Sequence, residues 1–329
     1  MTSRWGLLGF GEAGRVIGGA VAAAGVDLLV HDRALADPDR GPAVRAAIAA
    51  AGATAADDVA ALADREVVLS LVTPATAVAA AAGFAPHAGD DVLYLDLNST
   101  EPAAKREVAA ALAGVRVVDG VMTGGGITLD GAAIPISLAG PDAAEAAGLL
   151  GRLGFTASVV GSEVGGAAAL KMLRTVVVKG MEGLWVEALL AAQELDVVEP
   201  LIAMVEETLD RYPTRDFATM LVTTHVAHAG RRAVEVRMAR DTVAATGVPP
   251  LLSGGLVQRH ERSARGVAAA GRVPGDLPPS LTAALEVLRD LPGDPDPGDL
   301  PGDPDLGDLP GDPDPGDLPG DPAPGALPG

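Results

Sequence analysis

Leu7-Leu8-Gly9-Phe10-Gly11-Glu12-Ala13-Gly14 closes an apolar run and opens a helical one. It fits G-x-G-x-x-G. The first glycine allows a tight turn, and the second lets the backbone approach a pyrophosphate. The third lets helix and strand pack closely, and the helix N-terminus faces the anion. In a chain with 42 glycines the spacing alone is weak. Its context adds to it: a strand precedes, a helix follows, and Asp32 ends the second strand, 18 residues beyond Gly14. Gly9, Phe10, Gly11, Glu12, Ala13 and Gly14 are therefore candidates for a dinucleotide loop. Asp32 suits the ribose 2′-hydroxyl of NAD, and Arg33 beside it suits the 2′-phosphate of NADP. The residues leave NAD and NADP both open.

Outward from this loop, short apolar strands alternate with alanine-rich helices. Strands are expected at 5–9, 26–31, 66–71, 91–96, 116–118, 134–139 and 156–160, with helices at 14–24, 41–51, 59–62, 74–82, 102–113 and 142–153. Such alternation builds a doubly wound, mostly parallel sheet. Val72-Thr73-Pro74 and Asn98-Ser99-Thr100 end later strands, where a parallel sheet presents its cofactor crevice. After Gly161 the pattern becomes helical: 164–195 reads as one long helix, followed by 199–211, 216–230, 231–246, 251–269 and 280–291. The expected domains are α/β to residue 162 and all-α from 163 to 290.

From Leu291 the sequence repeats every nine residues as LPGDPDPGD, with ten aspartates and no lysine or arginine. Proline at this density excludes helix and ladder, so residues 291–329 read as a disordered acidic tail. The tail carries −10 of the formal net charge of −20. An acidic balance argues against nucleic acid as partner. No cysteine is present, which excludes disulfides, thiolate metal sites and a cysteine nucleophile. No apolar run has the length of a membrane span, and Met1–Trp5 leads straight into the glycine motif without a signal-peptide pattern. A soluble cytoplasmic protein without a metal is the expectation. His225 and His228, spaced i,i+3, read as packing residues. Lys179 and Glu182 read as an ion pair, and Arg231, Arg232, Glu235 and Arg237 as a charged helix surface.

Gly9-Phe10-Gly11-Glu12-Ala13-Gly14, Asp96-Leu97-Asn98-Ser99-Thr100, Asp119-Gly120-Val121-Met122-Thr123-Gly124-Gly125 and Gly165 to Lys171, in that order, resemble the β-hydroxyacid dehydrogenases. That superfamily includes 3-hydroxyisobutyrate and 6-phosphogluconate dehydrogenases and the imine reductases. Residues 170–174, 187–189 and 228–235 resemble a subgroup of phosphogluconate-dehydrogenase-like proteins with a distinct C-terminal domain. The resemblance spans the body and none of the tail. It implies a Rossmann domain, NAD or NADP as cofactor, a homodimer intertwined through the long helix, and a small anionic substrate. Lys171 matches the family's catalytic lysine, an acid/base for the hydroxyl proton. Thr123 stands where the family has a serine, and with Gly124 and Gly125 would hold the substrate. Arg174 and Thr175 share the Lys171 face and complete the substrate candidates.

Three departures narrow the reading. Arg174 replaces a usual asparagine and Ala167 a usual glycine. Val178 stands where phosphogluconate dehydrogenases place an acidic glutamate, which disfavours their decarboxylation. Lysine at 171, where imine reductases usually have aspartate or tyrosine, favours hydroxy-acid and carbonyl chemistry over imine reduction. A dinucleotide-binding protein without turnover, a sensor or interaction module, is the alternative of another class.

Overall fold

The computed structural model describes residues 3–89, 91–123 and 134–291. Among them, eight strands form one sheet: β1 (Arg4–Leu8), β2 (Asp27–His31), β3 (Thr54–Ala55), β4 (Val67–Ser70), β5 (Leu93–Asp96), β6 (Arg116–Met122), β7 (Ile136–Ala139) and β8 (Ala157–Gly161). The strand order is β3-β2-β1-β4-β5-β6-β7-β8. All neighbours are parallel except β6 and β7. This is the mostly parallel, doubly wound arrangement expected from the alternation. The two-residue β3 was not foreseen, being too short to carry a periodic signal.

Successive residues of a strand point to opposite faces. Leu7, Leu69, Leu93, Leu95 and Val118 pack on one face with Ile17, Val21, Ile48 and Leu150. Leu8, Val68, Tyr94 and Val117 pack on the other with Ala81, Phe84, Val108 and Leu112. Both faces are covered, which is why the strands read as unbroken apolar runs rather than alternating ones. The first face is covered by α1 (Glu12–Ala23), α2 (Gly41–Ala50) and α5 (Ala143–Arg152), and the second by α3 (Ala77–Phe84) and α4 (Pro102–Ala111).

The long helix α6 spans Gly166–Glu194. Its first turn is small because it must be: Ala167 and Ala168 are wholly buried against Val121 and Ala139. A Cβ on Gly166 would lie 3.1 Å from the Ala139 methyl. The chain forms two compact units, the first running through Glu182 and the second beginning at Gly183. Sequence pattern changes near residue 162, whereas packing divides the chain within α6, whose first turns bury their small residues on the sheet.

The second unit adds α7 (Val198–Asp210), α8 (Thr214–Ala227), α9 (Ala229–Ala245), α10 (Leu251–Ala269) and α11 (Leu281–Arg289) to the end of α6. Its buried core is small and gathers Val226, Ala229, Val267, Ala284 and Leu291. No described helix is long and apolar enough to cross a membrane. Of the repeat tail, residues 292–329 lie outside the described residues.

Candidate active site

The strand order reverses direction between β1 and β4, and the carboxyl ends of parallel strands form a crevice at such a switch point. The glycine loop sits there. Gly9 has φ +88°, and a Cβ on it would lie 2.4 Å from the Leu71 carbonyl oxygen at the end of β4. A Cβ on Gly14 would lie 2.3 Å from the Gly9 carbonyl oxygen. These two glycines are fixed by the protein's own packing. Gly11 is different: a Cβ there would meet nothing within 4 Å. No internal contact requires that glycine, and the open space beside it fits close approach by a pyrophosphate at the start of α1. Phe10 turns its ring into the core, so only its backbone belongs to the loop. Glu12 is exposed and Ala13 half-buried at the helix start.

Asp32 holds the loop. Its carboxylate accepts from the Phe10 N–H at 2.6 Å and from the Ala34 N–H at 2.8 Å. Arg33 is exposed and makes no hydrogen bond or ion pair among the described residues. Beyond β4, Val72 is half-buried, while Thr73 and Pro74 are exposed. The Thr73 and Thr76 hydroxyls lie 2.9 Å apart. Asn98 is buried: its amide donates to Ser70 Oγ at 2.9 Å and to Asp96 Oδ1 at 2.5 Å. Its own Oδ1 has no partner.

Lys171 stands about one turn into α6. Its Nζ donates to Ser99 Oγ at 2.5 Å, so the ammonium lies at the carboxyl end of β5. Burial, then the charges of Lys105 and Arg174, hold its pKa below the usual lysine range. Arg174 is exposed and makes no hydrogen bond or ion pair among the described residues. Thr175 donates its hydroxyl to the Lys171 carbonyl at 2.9 Å. The Asp119-Gly120-Val121-Met122 stretch, beyond the strand expected at 116–118, belongs to strand β6. Paired register with β7 carries the strand that far. Thr123 follows it, its N–H bonded to the Pro135 carbonyl at 2.8 Å and its hydroxyl donating to the same oxygen at 3.3 Å. Gly124 and Gly125 lie outside the described residues.

The structure adds what the sequence reading passed over. Lys105 on α4 is wholly buried between two buried carboxylates, 3.3 Å from Asp96 Oδ1 and 3.4 Å from Asp119 Oδ1. Burial pushes the Asp96 carboxyl up, against the pull of Lys105 and Asn98. The signal was present: Lys105 shares one helical face with Val108 and Leu112, at i, i+3 and i+7. Elsewhere, Lys179 pairs with Glu182 at 2.6 Å. On the charged surface of α9, Arg231 pairs with Glu235 within the helix and Arg237 with Glu261 on α10. His225 packs edge-on against His260 with ring centroids 4.8 Å apart, and no metal-binding cluster occurs among the described residues.

Residues 4–159 match the NAD binding domain of 6-phosphogluconate dehydrogenase, and residues 192–263 match a domain of unknown function (DUF1932). A conserved hypothetical protein from Sinorhizobium meliloti 1021 is 33% identical, over 88% of this chain and 96% of its own, with a TM-score of 0.59. The chain belongs to the β-hydroxyacid dehydrogenase superfamily. Its first 160 or so residues are a domain of the NAD-binding type. The conserved protein MTH1747, described as structurally similar to 3-hydroxyacid dehydrogenases, is 27% identical over 82% of this chain and 100% of its own, with a TM-score of 0.58. An uncharacterized 28.5 kDa protein of Methanothermus fervidus is 27% identical over 143 residues. That match spans 44% of this chain and about half, 54%, of the relative. The imine reductase of Myxococcus stipitatus shares the fold. Its variant with NAD+ is 17% identical over 88% of this chain and 100% of its own (TM-score 0.67), and another structure of it holds NADP+.

Proposed function

We infer that this chain is an NAD(P)-dependent oxidoreductase acting on a small, anionic hydroxy acid or its carbonyl product. The observation that carries the reading is Lys171, whose ammonium meets Ser99 at the carboxyl end of β5 with its pKa lowered. The nicotinamide supplies the hydride acceptor and donor. Gly11 and the N-terminus of α1 would hold the pyrophosphate of the dinucleotide, and Asp32 or Arg33 would meet its adenosine ribose. Val72, Thr73, Pro74 and Asn98 border the crevice.

Lys171, as the neutral amine, takes the hydroxyl proton when the alcohol is oxidised and returns it when the carbonyl is reduced. A lowered pKa makes that amine available nearer neutral pH, where a free lysine is almost wholly protonated. Arg174, exposed and unpaired among the described residues one turn on, takes the substrate's anionic group. Thr123 and the adjoining Gly124 and Gly125 orient the substrate, and Thr175 steadies the Lys171 turn.

A second copy of the chain completes the assembly. Leu173, Val176 and Val177 are 61–70% exposed on α6. Residues 173–179 are exposed around the whole circumference of the helix, with Val178 and, beyond them, Met181 also uncovered. An apolar helix bare on every side asks for a partner surface.

Lys171→Ala tests the chemistry. Turnover of a panel of small hydroxy acids should fall by roughly 10²–10⁴-fold, while NADH or NADPH binding, read by fluorescence, stays intact. Full turnover by the variant would end the reading. Turnover of imines alone, insensitive to Lys171→Ala, would place the protein with imine reducers instead.

A further inference from the structure

Lysine is scarce here. Of 24 basic residues three are lysine: Lys105, Lys171 and Lys179. Lys105 is 0% exposed, and the chemistry above gives it no contact with the substrate. An apolar side chain at a buried-ion position is often as stable as the ion or more so, so stability alone does not account for a lysine there.

Its connections run in two directions. Its Nζ donates to the Asp96 carbonyl at 2.7 Å and to the Gly120 carbonyl at 3.1 Å. On one side, Asp96 Oδ1 accepts from the Asn98 N–H at 3.0 Å and from its amide, which also reaches Ser70. That branch ties together the ends of β4 and β5, at the crevice. On the other side lies Asp119. Its Oδ2 accepts three N–H groups, from Gly165 at 3.0 Å, Ala167 at 2.9 Å and Ala168 at 3.0 Å. These are the free amides at the start of α6, and Lys171 follows one turn later.

We propose that Lys105 is the positioning residue of the Lys171 site: through Asp119 it fixes the first turn of α6, and its ammonium is the buried cation behind the Lys171 amine. This rests on the reading of Lys171 as acid/base. The charges around Lys171 fit. Lys105 on α4 and Arg174 on α6 disfavour its ammonium after burial does. Arg106 on α4 lies beside Gly165. Ser99 is its hydrogen-bond partner, and Asp96 and Asp119 lie at Lys105.

The test is competitive acylation of the full chain with acetic anhydride across pH, read peptide by peptide by mass spectrometry. Lys179, exposed, is the internal reference. In the wild type Lys171 should acylate at lower pH than Lys179. Lys105→Met removes the cation and should move the Lys171 profile up, towards Lys179. Asp119→Asn keeps an oxygen for the three N–H groups and unmasks the cation, so it should move the profile down. Opposite signs are what loosened packing would not produce. No shift in either variant, or shifts in the same direction, would overturn the proposal. If Lys105→Met does not fold, the sign in Asp119→Asn decides alone. Lys171→Ala kinetics separate the two ideas. Retained turnover with opposite shifts ends the acid/base reading and leaves the Lys105 coupling. Lost turnover with no shifts does the reverse.

Discussion

Each unit of the molecule uses a buried carboxylate to start a helix, and the two do it differently. In the first, Asp119 on strand β6 gathers three N–H groups of α6 and is backed by the buried Lys105. In the second, Glu187 on α6 accepts from Leu252 at 2.7 Å and Ser253 at 2.9 Å at the start of α10. Burial opposes ionisation of Glu187, but the hydrogen bonds from Ser253 and Leu252 outweigh it and hold its pKa below the usual range. The contrast extends to whole units. The first packs backbone on backbone and locks charges between strands. The second has a small core; exposed ion pairs, such as Arg45–Asp57 in the first and Arg231–Glu235 in the second, occur in both and contribute little each. Close approach and buried charge fix the geometry of a crevice. Helices around a small core leave apolar side chains such as Met204, Met238 and Leu251 exposed.

The comparison can be broken at three places. Gly9→Val should have the largest effect. A β-branched residue at φ +88° would press on the Leu71 carbonyl, costing about 3 kcal/mol or more in urea unfolding and abolishing cofactor binding. A mild effect would mean that the glycine loop is less tightly packed than its geometry says.

Glu187→Ala should lie in between. It leaves the Leu252 and Ser253 amides unpaired at the start of α10, for a loss of about 1–3 kcal/mol. A loss as large as that of Gly9→Val would erase the distinction between the units.

The smallest effect is a pH dependence. Burial first, then the charges of His260, Arg259 and Arg232, push the His225 pKa down from 6.5 to about 4. Between those values the unfolded chain binds the proton and the folded one does not. Stability from this group is therefore complete above about pH 6.5 and is lost as pH falls towards 4. In His225→Phe, thermal melts between pH 7 and 4 should lose less stability than the wild type. An equally steep loss would show that other groups govern the second unit's acid response.

The glycine loop, the strand–helix alternation and the long helix were legible because each is a local pattern. Turn geometry, periodicity and motif spacing act over a few residues, so the residues themselves record them. The local pattern ends this strand at Val118, because pairing with β7, not local propensity, extends it through Met122. The sequence left Asp32 and Arg33 as alternatives. Folding engages Asp32 with Phe10 and leaves Arg33 exposed. What only the tertiary structure decided is the set of partners across long stretches of chain: Lys171 with Ser99, Asp119 with the start of α6, Glu187 with α10, Lys105 between Asp96 and Asp119. A buried charge or a free helix amide can be satisfied by a group from anywhere in the chain. Which group reaches it depends on the order in which strands pair and helices cover them.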